Sequence, residues 1–208
     1  MRYSCVLEVS GLSFGFKPRV LFSGLNWAVP AGVSLIQGGE GVGKTTLLRL
    51  IAGDLSPETG TMTAGSAYFA TDPVTYRQKV FRSDPRSEAF DPLTCSDFFA
   101  HWSDRYISFN MHLASELAVH LGLEDHLAKP LYMLSTGSKR KMWLAAAFAC
   151  GAVVTLLDEP FAALDHRSVQ RVLDLLLEAT QHTQRSFVVA DYTPPPAVPL
   201  ASVLDLGN

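Results

Sequence analysis

The sequence predicts an α/β chain with a helical insert, and three observations carry that expectation. From residue 138 the pattern alternates helix, strand, helix, strand. Val153–Leu157 is a continuous apolar run ending in Asp158, as expected of a parallel strand buried on both faces. Between them and the N-terminal region lies a stretch rich in proline and aromatic residues, with a helical stripe of Met111, Ala114, Leu117, Ala118 and Leu121. With 208 residues, 48% of them hydrophobic, the chain has length for one domain whose core needs no disulfide or metal staple.

Residues 1–37 read as β-rich: Cys5–Val9, Leu25–Val29 and Val33–Ile36, separated by turn signals at Gly11-Leu12-Ser13 and Pro30-Ala31-Gly32. A helix is expected from Gly43-Lys44-Thr45, burying Leu47, Leu48 and Ile51 and stopping at Gly53. Residues 71–132 hold Pro73, Pro85, Pro92 and the pair Phe98-Phe99, and are expected to be mostly helical. After Asp158, the residues Val169, Val172, Leu173, Leu176 and Leu177 recur at helical spacing. Phe187–Ala190 is a second buried strand and Val203–Leu206 a short last one. Between those two strands, Pro194, Pro195, Pro196 and Pro199 hold the chain out of helix.

A formal net charge of -3 argues against wholesale binding to nucleic-acid backbones, which favours a basic surface. Cys5, Cys95 and Cys150 are odd in number and lack CxxC spacing, so neither a disulfide framework nor a zinc ribbon is expected. The N-terminal MRYSCVLEVS lacks the apolar stretch of a secretory signal. The longest uncharged run, Met142–Leu157, falls short of the ~20 residues a membrane helix needs and is split by Gly151. The expectation is a soluble protein whose membrane role, if it has one, comes through a partner.

Three motifs carry chemistry. Gly38-Gly39-Glu40-Gly41-Val42-Gly43-Lys44-Thr45 fits G-x-x-x-x-G-K-[ST] between a strand and a helix. Glycines let successive N–H groups curl around a phosphate at the positive end of the helix dipole. Lys44 can reach the terminal phosphates, and the Thr45 hydroxyl can ligate Mg²⁺. The pattern arises by chance in roughly one chain in a hundred of this size, so a second element is needed to decide. Asp158-Glu159 supplies it: the first can hold Mg²⁺ through water and the second can orient or deprotonate an attacking water. The third is Leu134-Ser135-Thr136-Gly137-Ser138-Lys139-Arg140-Lys141, which opens a helix. Ser135 explains itself as an N-cap, whereas basic residues in a first turn oppose the macrodipole and suggest a nearby anion.

Together these residues resemble the ATP-binding cassette (ABC) ATPases, over essentially the whole chain and in the family's order. Gly38–Thr46, with Thr46 closing it, matches the Walker A loop; Leu134–Ser138 the signature; Val153–Glu159 Walker B with its catalytic glutamate. Ala162-Ala163-Leu164-Asp165 looks like the D-loop. Phe16 stands where an aromatic residue stacks on adenine, with simple packing beside Phe14 as the other reading. The resemblance implies a P-loop NTPase with a RecA-like core, an antiparallel β subdomain and a helical insert. It divides the chain into a nucleotide-binding core (1–70 and 151–208) and a helical subdomain of about 71–150 bearing the signature. It implies ATP and Mg²⁺, a second nucleotide-binding subunit whose Ser135, Thr136 and Gly137 meet ATP across a dimer, membrane-spanning permease partners, and a place on the cytoplasmic face of the membrane. In length the chain is similar to the haem-exporter ATPases of cytochrome c maturation.

Four departures qualify the resemblance. Glu40 puts a negative charge in the phosphate loop. Thr136 and Ser138 replace a glycine and a glutamine of the signature. The Q-loop glutamine is missing, its place falling near Arg82 or Ser83. The switch histidine after Phe187–Ala190 is also missing, with Tyr192 as the nearest match. The expected activity is ATP hydrolysis coupled to transport, slowed by those last two absences. A cassette that binds ATP as a weakly hydrolysing clamp, a ribosome- or DNA-directed cassette protein, and a small-molecule kinase are the competing readings. The single cassette without basic linker or coiled coil disfavours the second, and the signature disfavours the third.

Overall fold

A computed structural model describes residues 5–207; the reading of residues 1–4 as lacking a signal segment lies outside them. Strands β1 (Cys5–Phe16), β2 (Arg19–Pro30), β4 (Thr59–Ala64) and β5 (Ala67–Tyr68) form an antiparallel sheet in the order β2-β1-β4-β5. The second sheet is parallel: β6 (Val80–Arg82), β7 (Val154–Asp158), β8 (Ser186–Asp191), β3 (Gly32–Gln37) and β9 (Ser202–Asp205), in the order β6-β7-β8-β3-β9.

Side-chain alternation along the parallel strands explains why they are apolar throughout. Phe187 and Val189 of β8 join one buried cluster while Val188 and Ala190 join the other. The first cluster packs under helices α3 (Cys95–Arg105), α4 (Met111–His120), α5 (Thr136–Ala149) and α6 (His166–Ala179); the second lies between the two sheets and takes in α1 (Lys44–Ile51). Helix α5 has no polar face from Met142 onward, since Met142–Ala149 are all buried. That burial accounts for the long uncharged run.

Several elements differ from the sequence expectation. The turn signal at Gly11-Leu12-Ser13 is an irregularity inside β1. Gly11 has φ 62°, the β1–β2 register shifts between Val9 and Leu12, and Leu12 is fully buried beyond the shift. Residues 71–150 are not helical throughout: after the short α2 (Pro73–Lys79), β6 enters the parallel sheet and pairs with β7. Three residues are too few to show a strand period, and their partner is more than 70 residues away. Along α6 the buried face is Val172, Leu175, Leu176 and Ala179, while Leu177 is exposed. The phase of the stripe is set by which residues meet β3 and β8, which the spacing of leucines alone did not fix.

An aromatic cluster ties the middle of the chain to the core. Phe90, in the connection between β6 and α3, lies edge-on to Phe98 of α3 at 5.4 Å and to Trp143 of α5 at 5.4 Å. Lys139 of α5 donates to neighbouring Asp91 at 2.5 Å. The residues just upstream of Phe90 are thereby held against the C-terminal ends of β6 and β7, where open parallel sheets bind ligands.

Candidate active site

The loop after β3 curls because its glycines permit it. Gly41 and Gly43 have φ of 71° and 109°, in the left-handed region. A Cβ on Gly38 would lie 2.8 Å from Val42 Cγ2 and 2.9 Å from the Gly207 carbonyl oxygen. Gly39 N–H donates to that same carbonyl at 3.0 Å. Glu40 is exposed and lines the same cavity as Lys44 and Tyr192, its negative charge helping to raise the Tyr192 pKa after that of Glu159. Lys44 is only 6% exposed and its ammonium donates to the carbonyls of Gly38 and Gly39, each at 2.7 Å. The cation is thus already folded over the hollow of the loop.

Asp158 ends β7 beside the first turn of α1. The Thr45 hydroxyl donates to its Oδ2 at 2.7 Å, while its Oδ1 is buried without a partner. Burial raises the Asp158 pKa; the Thr45 hydrogen bond partly opposes this and the neighbouring Glu159 charge adds to it. An orphaned carboxylate oxygen next to a hydroxyl is a donor set suited to a hard divalent cation such as Mg²⁺. Glu159 follows with φ 44°, unusual for a non-glycine residue, and its N–H donates to the Ala190 carbonyl at 2.9 Å. This turn swings its carboxylate out of the sheet toward the phosphate loop.

Lys44, Thr45, Thr46, Glu159, Tyr192 and Phe16 line one cavity of about 500 Å³. Phe16 is 53% exposed and edge-on to Phe14 at 5.1 Å, so it is not core filling. Tyr192 is 47% exposed at the end of β8, with Lys44 Nζ 4.0 Å above its ring. The Glu159 charge raises the phenol's pKa. Arg86 completes this wall, its guanidinium 3.5 Å from Glu159 Oε2. The sequence reading missed it; the available signal was a cation three or four residues past the expected Q-loop position.

A second cavity of about 340 Å³ adjoins the first, sharing Thr45 and Arg86 and lined also by Asp158, Arg82, Ser83 and Arg140. Arg82 bonds Asp54 at 2.6 Å and Asp84 at 2.8 Å, and buried Ser83 donates its N–H to the Leu156 carbonyl at 3.0 Å. Both residues named for the missing glutamine therefore flank Asp158.

Ser135, Thr136 and Gly137 line neither cavity. Ser135 caps α5, accepting from Ser138 N–H at 3.1 Å. Gly137 is pressed against the 162–165 loop: a Cβ there would lie 2.5 Å from the Ala163 carbonyl oxygen. The anion expected near the basic first turn proves to be this chain's own carboxylates, since Lys139 bonds Asp91 and Lys141 bonds Asp165 at 2.6 Å. Arg140, 5% exposed, turns inward to the Ala162 carbonyl.

The sequence pattern of the ABC transporter family matches residues 22–162. The cytochrome c biogenesis ATP-binding export protein CcmA of Legionella pneumophila is 32% identical over 177 residues, covering 83% of this chain and 86% of that protein. An ATP-binding subunit of an ABC transporter superposes with a TM-score of 0.80 at 22% identity, over 90% of this chain and 79% of that one. The ATP-binding cassette MJ0796, a dimer bound to ADP and Pi, superposes with a TM-score of 0.74 at 19% identity, over 90% and 88%. The chain belongs to the ABC transporter family, as a short ATP-binding subunit with ATPase activity. Among the described residues no helix is long and apolar enough to cross a membrane.

Proposed function

We propose that this chain is the energy-coupling ATPase of a transporter whose membrane-spanning permease is a separate subunit. ATP closes two copies of the chain on one another, and hydrolysis releases them. The observation that supports this most is the division of the site. Lys44, Thr45, Asp158 and Glu159 converge, while Ser135, Thr136 and Gly137 face elsewhere. A signature turned away from its own phosphate loop suits a second subunit, and the MJ0796 cassette is a dimer.

In this reading Phe16 stacks on adenine, and Gly38–Thr46 wrap the phosphates with Lys44 neutralising the terminal pair. Thr45 and Asp158, the latter through water, hold Mg²⁺, which supplies charge neutralisation at the phosphates. Glu159 takes a proton from the attacking water. The water oxygen bonds to the γ-phosphorus as the bond to the bridging oxygen breaks, and ADP leaves with that electron pair. Ser135, Thr136 and Gly137 of the partner subunit close over the γ-phosphate. The helical region of about 71–150, above all the segment 82–99, carries the permease contacts and brings the protein to the cytoplasmic face.

Equilibrium Mg-ATP binding to parent and Lys44→Ala tests the site. Loss of binding in the variant is expected, and unchanged affinity would remove the phosphate loop from it. Co-purification from gently solubilised membranes tests the partner; a purified chain that binds plain lipid vesicles firmly would contradict attachment through a permease.

A further inference from the structure

We propose that Arg86 supplies, from within the same chain, the positive charge at the reacting γ-phosphate that position 192 cannot. The inference rests on the ATPase reading and names a catalytic residue for it. None of the six histidines lines the phosphate cavity, so no imidazole in this chain replaces the absent one. Among the described residues the cavity's cations are Arg19, Lys44 and Arg86. Arg19 donates to the Gly41 carbonyl at 3.0 Å. Lys44, held on the loop carbonyls, already has its place in the ATPase reading, neutralising the terminal phosphates from the loop side. Among the described residues Arg86 is the cation that forms an ion pair with Glu159, and its side chain is 68% exposed and held by that 3.5 Å contact.

Its surroundings aim it. Phe90 and Asp91 anchor the following residues to α3 and α5, fixing the root of the segment while leaving the Arg86 side chain free. Behind it lies Arg140, buried, with Nε unpartnered and within Coulombic reach of Glu159 and Asp158. Arg86 lines both the cavity of Arg140 and the one it shares with Lys44 and Glu159. There a planar fork can bridge a γ-phosphate oxygen and the Glu159 carboxylate, opposing the charge that spreads over the equatorial oxygens in the transition state. Atoms move as in the hydrolysis above; Arg86 neither gains nor loses a proton.

The test compares parent, Arg86→Ala and Arg86→Lys in Mg-ATP binding, steady-state hydrolysis and trapping by ADP with aluminium fluoride. Arg86→Ala is expected to leave ATP affinity within about threefold and to lower kcat by about a hundredfold or more. It should weaken the fluoroaluminate complex at least tenfold with ADP affinity unchanged, and Arg86→Lys should recover part of both losses. Tyr192→His placed in the Arg86→Ala background should restore more activity than it adds to the parent. A parent-like kcat and parent-like trapping in Arg86→Ala would overturn the proposal while leaving the ATPase reading intact. Failure of the parent itself to bind Mg-ATP would overturn that reading and this inference with it.

Discussion

Lys44 Nζ lies 4.0 Å above the ring of Tyr192, a contact between the phosphate loop and the end of β8 across 148 residues of chain. In the proposed reading the phosphates approach the ammonium past this aromatic face, and the Glu159 charge raises the phenol's pKa. A neutral phenol donates one hydrogen bond but carries no positive charge. Tyr192→His should therefore raise kcat by about tenfold with little change in ATP affinity, the pattern of an interaction made chiefly in the transition state. It should also give kcat a pH dependence near the imidazole range that the parent lacks. Steady-state kinetics across pH, with Tyr192→Phe alongside, measure this. If Phe equals the parent and His adds nothing, the side chain has no part in the chemistry.

Glu159→Gln should bind ATP as the parent does, because the carboxylate acts on water. Hydrolysis should fall by about a hundredfold or more. The variant should elute as a dimer on size-exclusion chromatography with Mg-ATP and as a monomer without it. Parent-rate hydrolysis would assign the water to another group.

Asp158 makes stability depend on pH in a stated direction. Burial raises its folded pKa above 3.8, so the fold holds the proton more tightly than the unfolded chain does. The contribution is favourable while Asp158 is protonated and is lost as pH rises from the unfolded value through the folded one. Asp158→Asn cannot ionise. Without divalent cations it should melt above the parent at pH 7, because the parent then carries the buried charge and the variant does not. Below pH 3.8 the two should converge. Thermal unfolding at the two pH values is the measurement, and a lower melting point for the variant at pH 7 would contradict the assignment.

Gly137→Ala should destabilise by about 1–3 kcal/mol, because its Cβ would meet the Ala163 carbonyl oxygen at 2.5 Å and force α5 from the 162–165 loop. Urea unfolding reads the loss. ATP-held dimerisation should weaken in parallel, since both pieces belong to the proposed interface.

Much of this molecule was legible in its residues. Lys44 and Thr45 follow their glycines at fixed spacing, and Asp158 and Glu159 follow an apolar run, so covalent order alone sets them beside a strand end. The near-continuous apolar runs Val153–Leu157 and Phe187–Ala190 likewise marked buried strands. What only tertiary structure decided are pairings between distant segments. They include β6 beside β7, Lys139 and Lys141 answered by Asp91 and Asp165, Tyr192 over Lys44, and Arg86 against Glu159, 73 residues apart. Helix and strand periods report only which face a residue shares with its near neighbours. Which charge meets which across a cavity depends on how the sheets and helices pack, and that is set by the whole core.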